Sequence, residues 1–556
     1  MKRLPILTAL AAFVLLLASC KNENKSGLFI PKDASIVLHV SPKSLSSKLT
    51  WEEIKKTQWF RDAYAQSKDS FAQKMMDNPE ASGVDLKSDF AFFLKKRGNG
   101  GYSVFQGSIK DEAAFAALAK KTDAAAKIGK DGDWNVMTSN NVVTVWNKGK
   151  FAVINDVPMG GMNPMSASMS ESTRFGADSL KIFVKQVMTL DNDESLFSDD
   201  RFAAVMKEDA DMHMWMDAGA FYSDMAGMMS MMKIGSLMEG NVTGGSINFE
   251  DGKIAARIKQ FYGKEMQKAM DNWKFQNVDG DVLNRIQSDN VIGVFAMNMD
   301  PAGLKEFLKT IGMDGMANMF LSKQNLSLDE LLGATKGQFL MSVSDLQMKD
   351  TTMTMAMGEG EAPYTYTSSQ PQMSILFATD VAKKATFDKL LTMVKTETPQ
   401  MPFIYQLNND WFVAGNKPEA VNGFAGGNKV KHAFTEKISG HPFGFYLDVQ
   451  RLLKTEFTKD VFAKSLLTES AAVWKDVVMI ANEYKNGVAT SEMTINMVDG
   501  KTNSLKQLNQ YIEKMNVLRK NNEKVVMENG TDGMKVDTVP MTTTPVPSPT
   551  GENPNQ

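Results

Sequence analysis

Short apolar runs rich in β-branched and aromatic residues recur along this chain. Most lead directly into a stretch with apolar residues at helical spacing. Ile36-Val37-Leu38-His39-Val40 is the first, closed by Ser41-Pro42. Val291 to Met299 is built the same way and closes at Asp300-Pro301. A serine or aspartate offers a side-chain oxygen to the free N–H groups of a helix start, and proline fits the first helical position because it has no N–H to lose. Both junctions therefore read as strand, cap, helix. Apolar runs of strand length bounded by turn residues predict an antiparallel sheet, and the intervening stretches predict amphipathic helices lying on it.

The pattern repeats in the order A, B, A′, B′, with A at 28–190, B at 200–280, A′ at 281–430 and B′ at 435–520. Asp89-Phe90-Ala91-Phe92-Phe93 in A corresponds to Gln338-Phe339-Leu340-Met341 in A′. Ser103-Val104-Phe105 leads to a helix with Phe115 and Leu118, as Ser374-Ile375-Leu376-Phe377 leads to one with Phe387 and Leu391. FAVINDVP (Phe151 to Pro158) corresponds to WFVAGNKP (Trp411 to Pro418), and an insertion from about Met348 to Gln372 lengthens a hairpin loop in A′. In the B units, His213–Asp217 matches Gly444–Asp448, and INFEDGK (Ile247 to Lys253) matches INMVDGK (Ile495 to Lys501). Asp-Gly between strand-like runs is a strong hairpin signal, since both turn positions take positive φ. Helices are expected at Lys264–Trp273 and Ser504–Leu518. The expected fold is α+β: internally duplicated antiparallel β-sheets with amphipathic helices packed on one face.

The N-terminus carries a different pattern. Met1-Lys2-Arg3 is followed by an apolar run from Leu4 to Leu17 and then Ala18-Ser19-Cys20. That is the charge, apolar length and small-residue order of a secretory signal. Leu4 to Ala18 includes Pro5 and falls short of the roughly 20 residues a membrane span needs. Cys20 is the only cysteine in 556 residues. Residues 1–20 thus read as a lipoprotein signal peptide, Cys20 as the lipidation site and 21–27 as a polar tether. The body beyond has no thiol and no disulfide, so its core alone must hold it.

Composition changes this little. Hydrophobic content of 43% and charged content of 23% are those of a globular protein. A net charge of −3 with interspersed signs makes no electrostatic case for nucleic acid. The stretch 528–556, rich in Thr, Pro, Asn and Gly, has too little apolar surface to offset its ordering entropy and reads as a disordered tail.

Methionine is abundant, at 41 residues, and exported methionine clusters can hold Cu(I) through soft thioether sulfur. Met212, Met214 and Met216 alternate on a strand whose B′ counterpart carries Phe445 and Leu447, so they read as core. Met225 to Met238 sit at helical spacing and read as packing; Met353, Met355 and Met357 form a further cluster. Met159, Met162, Met165 and Met169 lie among Gly, Pro and Ser with no core to fill, and are the candidate metal residues. His39, His213, His432 and His441 are scattered, and His39, in an apolar strand, reads as a satisfied core residue. No metalloprotease, nucleophile-elbow, phosphate-loop or dinucleotide motif occurs in its required context. Asp191-Asn192-Asp193-Glu194 lacks the glycine and distal glutamate of a calcium loop and reads as a solvated linker. Trp51 and Trp59, eight residues apart, read as packing on one helix face. No catalytic residue is expected, and no cofactor beyond covalent lipid at Cys20.

Leu17-Ala18-Ser19-Cys20 resembles the lipobox of bacterial lipoproteins. With the PKDASIVLHVSP opening (Pro31 to Pro42), KTQWF (Lys56 to Phe60) and the repeated layout, the chain resembles the DUF4836 family of Gram-negative lipoproteins from Lys21 to about Leu518. The resemblance implies a diacylglyceryl thioether and an N-acyl chain at Cys20, hence a membrane partner through the lipid anchor and a cell-envelope address. Lys21 in place of an aspartate points to the outer membrane. It brings no catalytic residue. The expectation is a lipid-anchored envelope protein acting as a non-enzymatic binding or scaffold module for a protein or small molecule. The alternatives are Cu(I) handling through the methionine loop, and an enzyme whose site assembles only in three dimensions.

Overall fold

A computed structural model describes residues 27–530, except 124–125, 140, 160–161, 164–167, 170–172, 220–233, 356–363, 398–402, 456–460 and 483. Among the described residues eighteen strands join in one antiparallel sheet. Unit A supplies β1 (Ile36–Val40), β2 (Phe90–Arg97), β3 (Gly100–Ser108), β4 (Ile128–Asp131), β5 (Trp134–Ser139), β6 (Val142–Trp146) and β7 (Lys150–Pro158). Unit B supplies β8 (Met212–Asp217), β9 (Val242–Glu250) and β10 (Lys253–Phe261). From A′ come β11 (Val291–Asn298), β12 (Gln338–Met355), β13 (Tyr364–Asp380), β14 (Ile404–Leu407) and β15 (Trp411–Gly415). From B′ come β16 (Phe443–Leu447), β17 (Trp474–Ala481) and β18 (Val488–Met497).

Their spatial order is β4-β5-β6-β7-β3-β2-β1-β8-β9-β10-β18-β17-β16-β11-β12-β13-β15-β14. The four segments form four contiguous blocks, A, B, B′ and A′. Outward from the central β10–β18 pair, the order reads the same on both sides until β6 and β14. The strands β4 and β5 then extend one wing alone.

Because side chains alternate across a strand, each residue's parity assigns it to a face. Val37, His39, Phe93, Val104 and Trp215 are buried on the first face, as are Val294, Ala296, Leu340 and Val413. Helices Ala177–Met188 and Asp200–Met206 pack there in one half, with Phe183 stacked on Tyr102 at 5.1 Å and Phe202 edge-on to Trp215 at 5.5 Å. In the other half, helix Pro418–Ala425 sets Phe424 edge-on to Trp411 at 5.4 Å. Each fully buried side chain of this size contributes about 1.5–3 kcal/mol.

The second face is also partly covered. Helix Glu112–Thr122 lays Phe115 on Phe151 (5.0 Å), and helix Lys384–Glu397 lays Phe387 on Phe412 (5.2 Å). Helices therefore sit on both faces rather than one. Between the two wings Phe92, Phe105, Phe295, Met341 and Phe377 remain 36% to 46% exposed.

Four local expectations change. Met212, Met214 and Met216 share a face, but it is the second, half-covered one; the buried residues of β8 are His213 and Trp215. Asp251-Gly252 turns where expected, with Glu250 opposite Lys253, though of the two positions only Gly252 takes positive φ, at +68°. Asp499-Gly500 does not, because β18 is entered through Asn486-Gly487 (φ +53° and +79°) and Gly500 packs against Gly252 instead. The A′ insertion is ladder rather than loop, since β12 and β13 stay paired out to Met355 and Tyr364. Trp51 and Trp59 lie on separate helices, Trp51–Lys55 and Gln58–Gln66, and both rings meet Phe60 (5.3 and 6.0 Å).

Helix Ser504–Gly530 packs against helix Gln58–Gln66, far away in sequence. Thr57 gives the Gln58–Gln66 helix no side-chain cap, and Glu513 takes that role by accepting from the N–H groups of Gln58 and Trp59, both at 2.9 Å.

Candidate functional site

Strand register lines up Gln106, Ala91, His39, His213, Ser246, Arg257 and Glu492 as a row across the first face, from β3 through β18. Its centre is a buried histidine pair, 3% and 4% exposed, with Nδ1 atoms 3.2 Å apart. The carbonyl of Glu208 can only accept, so His213 donates to it from Nε2 at 2.9 Å. A neutral His213 then accepts at Nδ1 from His39, whose Nε2 faces Asp89 Oδ2 at 3.2 Å. The hydrogen bond from His39 holds the Asp89 carboxyl below its usual range, and burial pushes His213 down. Burial would raise Glu208, but Lys259 and Ser246, each at 2.5 Å, outweigh it and keep that carboxyl low. The row's polar side chains face one another, with the His39 Nε2–Asp89 approach the loosest of the contacts. The row locks β1 to β8 and offers no reactive group.

A groove on the wing that β4 and β5 extend has different chemistry. Trp134, Val136 and Thr138 of β5 with Val145 of β6 form its floor, and Val184 and Met188 of helix Ala177–Met188 form its wall. Its volume is about 490 Å³, within the range of small-molecule sites. Lys127 and Lys130 on the edge strand side and Lys181 and Lys185 on the helix rim the opening, against the single carboxylate of Asp131. Lys185 spans the mouth to Asp131 at 2.9 Å, while Lys181 pairs with Asp178 outside it at 3.2 Å. Lys127 and Lys130 have no ion-pair partner among the described residues. The groove thus sets an apolar trough beside a cationic lip.

The residues singled out from sequence fall elsewhere. Cys20, Met165 and Met225 to Met232 lie outside the described residues. Met162 and Met169 oppose each other in a two-residue backbone ladder. Met159 lies against β3, where a Cβ on Gly101 would come within 3.1 Å of its Sδ, so its thioether packs rather than standing free. Among the described residues no group of three or more His, Cys, Asp or Glu has metal-binding geometry. Asn192–Glu194 is an exposed 3-10 turn. The Lys181, Val184, Lys185, Met188 spacing was the one groove signal open to sequence reading, as an apolar stripe edged by cations; the floor strands carry none.

One open antiparallel sheet with helices on both faces places the chain in the α+β class, and no described helix is long and apolar enough to cross a membrane. The chain belongs to the family described as Domain of unknown function (DUF4836), whose model matches residues 28–357. No curated protein matches. Among solved structures, the crystal form I structure of TP0453 is 9% identical, covering 45% of this chain and 88% of its own, at a TM-score of 0.23. Crystal form IV of TP0453 is 10% identical, with 42% and 81% covered and the same TM-score. Likeness at that level carries no argument about function.

Proposed function

We propose that this chain is a lipid-anchored cell-envelope module that binds an amphiphilic anion, an acyl chain with a charged head, in the lysine-rimmed groove. The observation that carries this reading is the pairing of an apolar floor with four lysines against one carboxylate. The chain would lie along Trp134, Val136 and Val184, where each square ångström of apolar surface removed from water contributes about 25 cal/mol. The head would meet Lys127, Lys130 and Lys181. The exposed Lys185–Asp131 pair is worth only about 0.2–1 kcal/mol, so a ligand opens it at little cost. The envelope address is supported by the signal pattern and Cys20. We read the mirrored strand order as duplication of one unit, with the groove built on the strands that only the first copy carries.

Displacement of a fluorescent acyl probe by dodecanoate from the purified chain tests the groove. Saturable binding is expected, weakened about tenfold or more by Val136→Trp, which fills the floor, and by Lys130→Glu with Lys181→Glu. Binding unaffected by both variants contradicts the reading. Labelling of cells with a radioactive fatty acid tests the anchor separately: label is expected on the wild-type chain and absent from Cys20→Ala.

A further inference from the structure

A second cavity, about 210 Å³, opens on the first face of the opposite wing, beside helix Pro418–Ala425. Ser342, Ser344, Ser374, Asp345, Lys417 and Glu419 supply its polar lining. Ser342 and Ser374 are 2% and 5% exposed; neither hydroxyl bonds to another described residue, and both oxygens stay open to the cavity. Hydroxyls that open only into a cavity take their hydrogen bonds from whatever fills it, water or a ligand, so two on one wall give a ligand hydroxyl two ready partners.

The surroundings hold these groups in place. The β12–β13 ladder slips between Ser344 and Gln347, and Asp345 sits at φ +55° with its N–H donating to Asn290 O at 3.1 Å. Its carboxylate accepts from Ser288 (2.8 Å) and Ser344 (3.0 Å). The Asn416 side chain accepts from Ile375 N and donates to Met373 O, both at 2.8 Å, which clips Lys417 beside Ser374. Gly423 lets the Gln287 side chain cross the helix, since a Cβ there would meet Gln287 Cγ at 2.4 Å. Lys417 and Glu419 have no ion-pair partner among the described residues.

Two carboxylates against one ammonium disfavour an anion. The volume equals that of about seven liquid waters, which suits a ring of hexose size. The lining mixes acceptors (Glu419, Asp345), a donor (Lys417) and hydroxyls that are both. A sugar hydroxyl is likewise both donor and acceptor and can satisfy each of them. We propose that this cavity binds a neutral polyhydroxylated molecule of monosaccharide size, with Ser342 and Ser374 bonded to ligand hydroxyls and Glu419 and Lys417 closing the ring of contacts. This site is independent of the acyl groove and stands or falls without it.

Saturation-transfer NMR on the full chain, with D-glucose, D-galactose, D-mannose and N-acetyl-D-glucosamine and with L-lysine and L-glutamate in parallel, tests it. Transfer to at least one sugar and to neither amino acid is expected. Affinity should fall about tenfold in Ser342→Ala and in the surface substitution Glu419→Gln, and stay unchanged in Lys268→Gln on a distant helix. Circular dichroism checks that each variant is folded; if Ser342→Ala unfolds, Glu419→Gln decides. Transfer to no sugar, transfer to the amino acids, or sugar binding unchanged in the folded variants overturns the proposal.

Discussion

His39 and His213, 174 residues apart in the chain, hydrogen-bond through their Nδ1 atoms at 3.2 Å and join β1 to β8 at the centre of the first face. The groups facing them are Asp89, which pairs with His39, and Glu208, whose carbonyl takes the His213 Nε2–H.

That arrangement fixes the sign of the pH dependence. His213 is pushed below the usual histidine value of 6.5 by burial, so the unfolded chain binds a proton that the folded chain resists. Stability is therefore full above that pH and declines as pH falls below it. Asp89, lowered from 3.8 by the His39 hydrogen bond, adds a second loss as pH falls past that value. Urea unfolding as a function of pH should show both limbs, and His213→Gln should flatten the upper one.

The two faces should differ in sensitivity. Phe93 is fully buried on the first face, and Phe93→Ala should cost about 3–5 kcal/mol through lost transfer energy and the cavity left behind. Phe92, its neighbour on the second face, is 37% exposed, and Phe92→Ala should cost less than half as much. Chemical denaturation of the two variants under one condition compares them directly.

Glycine substitutions separate backbone strain from crowding. Gly440 has φ +78° with nothing near its absent side chain, so Gly440→Ala should cost about 1–2 kcal/mol from the left-handed conformation alone. Gly252 has φ +68°, and a Cβ there would also sit 2.4 Å from Gly500 Cα, so Gly252→Ala should cost distinctly more. Thermal unfolding of both variants gives the ranking.

Glu513→Ala should leave the Gln58 and Trp59 N–H groups without their acceptor and remove a negative charge from a helix N-terminus. A loss of about 0.5–2 kcal/mol is expected, as for other cap deletions. Faster proteolysis within residues 51–77 than in the wild type would report the same loosening.

Much of the sheet was legible in the sequence, because its signals are local. Ser41-Pro42 and Asp300-Pro301 begin helices where expected, although only Asp300 caps with its side chain, donating nothing and accepting from Ala302 N. Asp251-Gly252 turns where expected. Face assignment was less legible: Met212, Met214 and Met216 have the right period, but a period of two does not say which set is buried, and Trp215 decided it. The matched Asp499-Gly500 misled because its neighbours, not its own turn propensity, set the path at the centre of the sheet. The groove and the serine cavity each join residues from strands and helices far apart in the chain, and no spacing rule connects Trp134 to Val184 or Ser342 to Lys417.

A photoreactive fatty acid cross-linked to the native chain, with adducts mapped by mass spectrometry, tests the acyl-binding reading most directly. Adducts concentrated on residues 134–138 and 181–188, and displaced by excess dodecanoate, are the result our account predicts. Adducts on the open aromatic tract around Phe92, Phe105 and Phe295, with none at the groove, would contradict it.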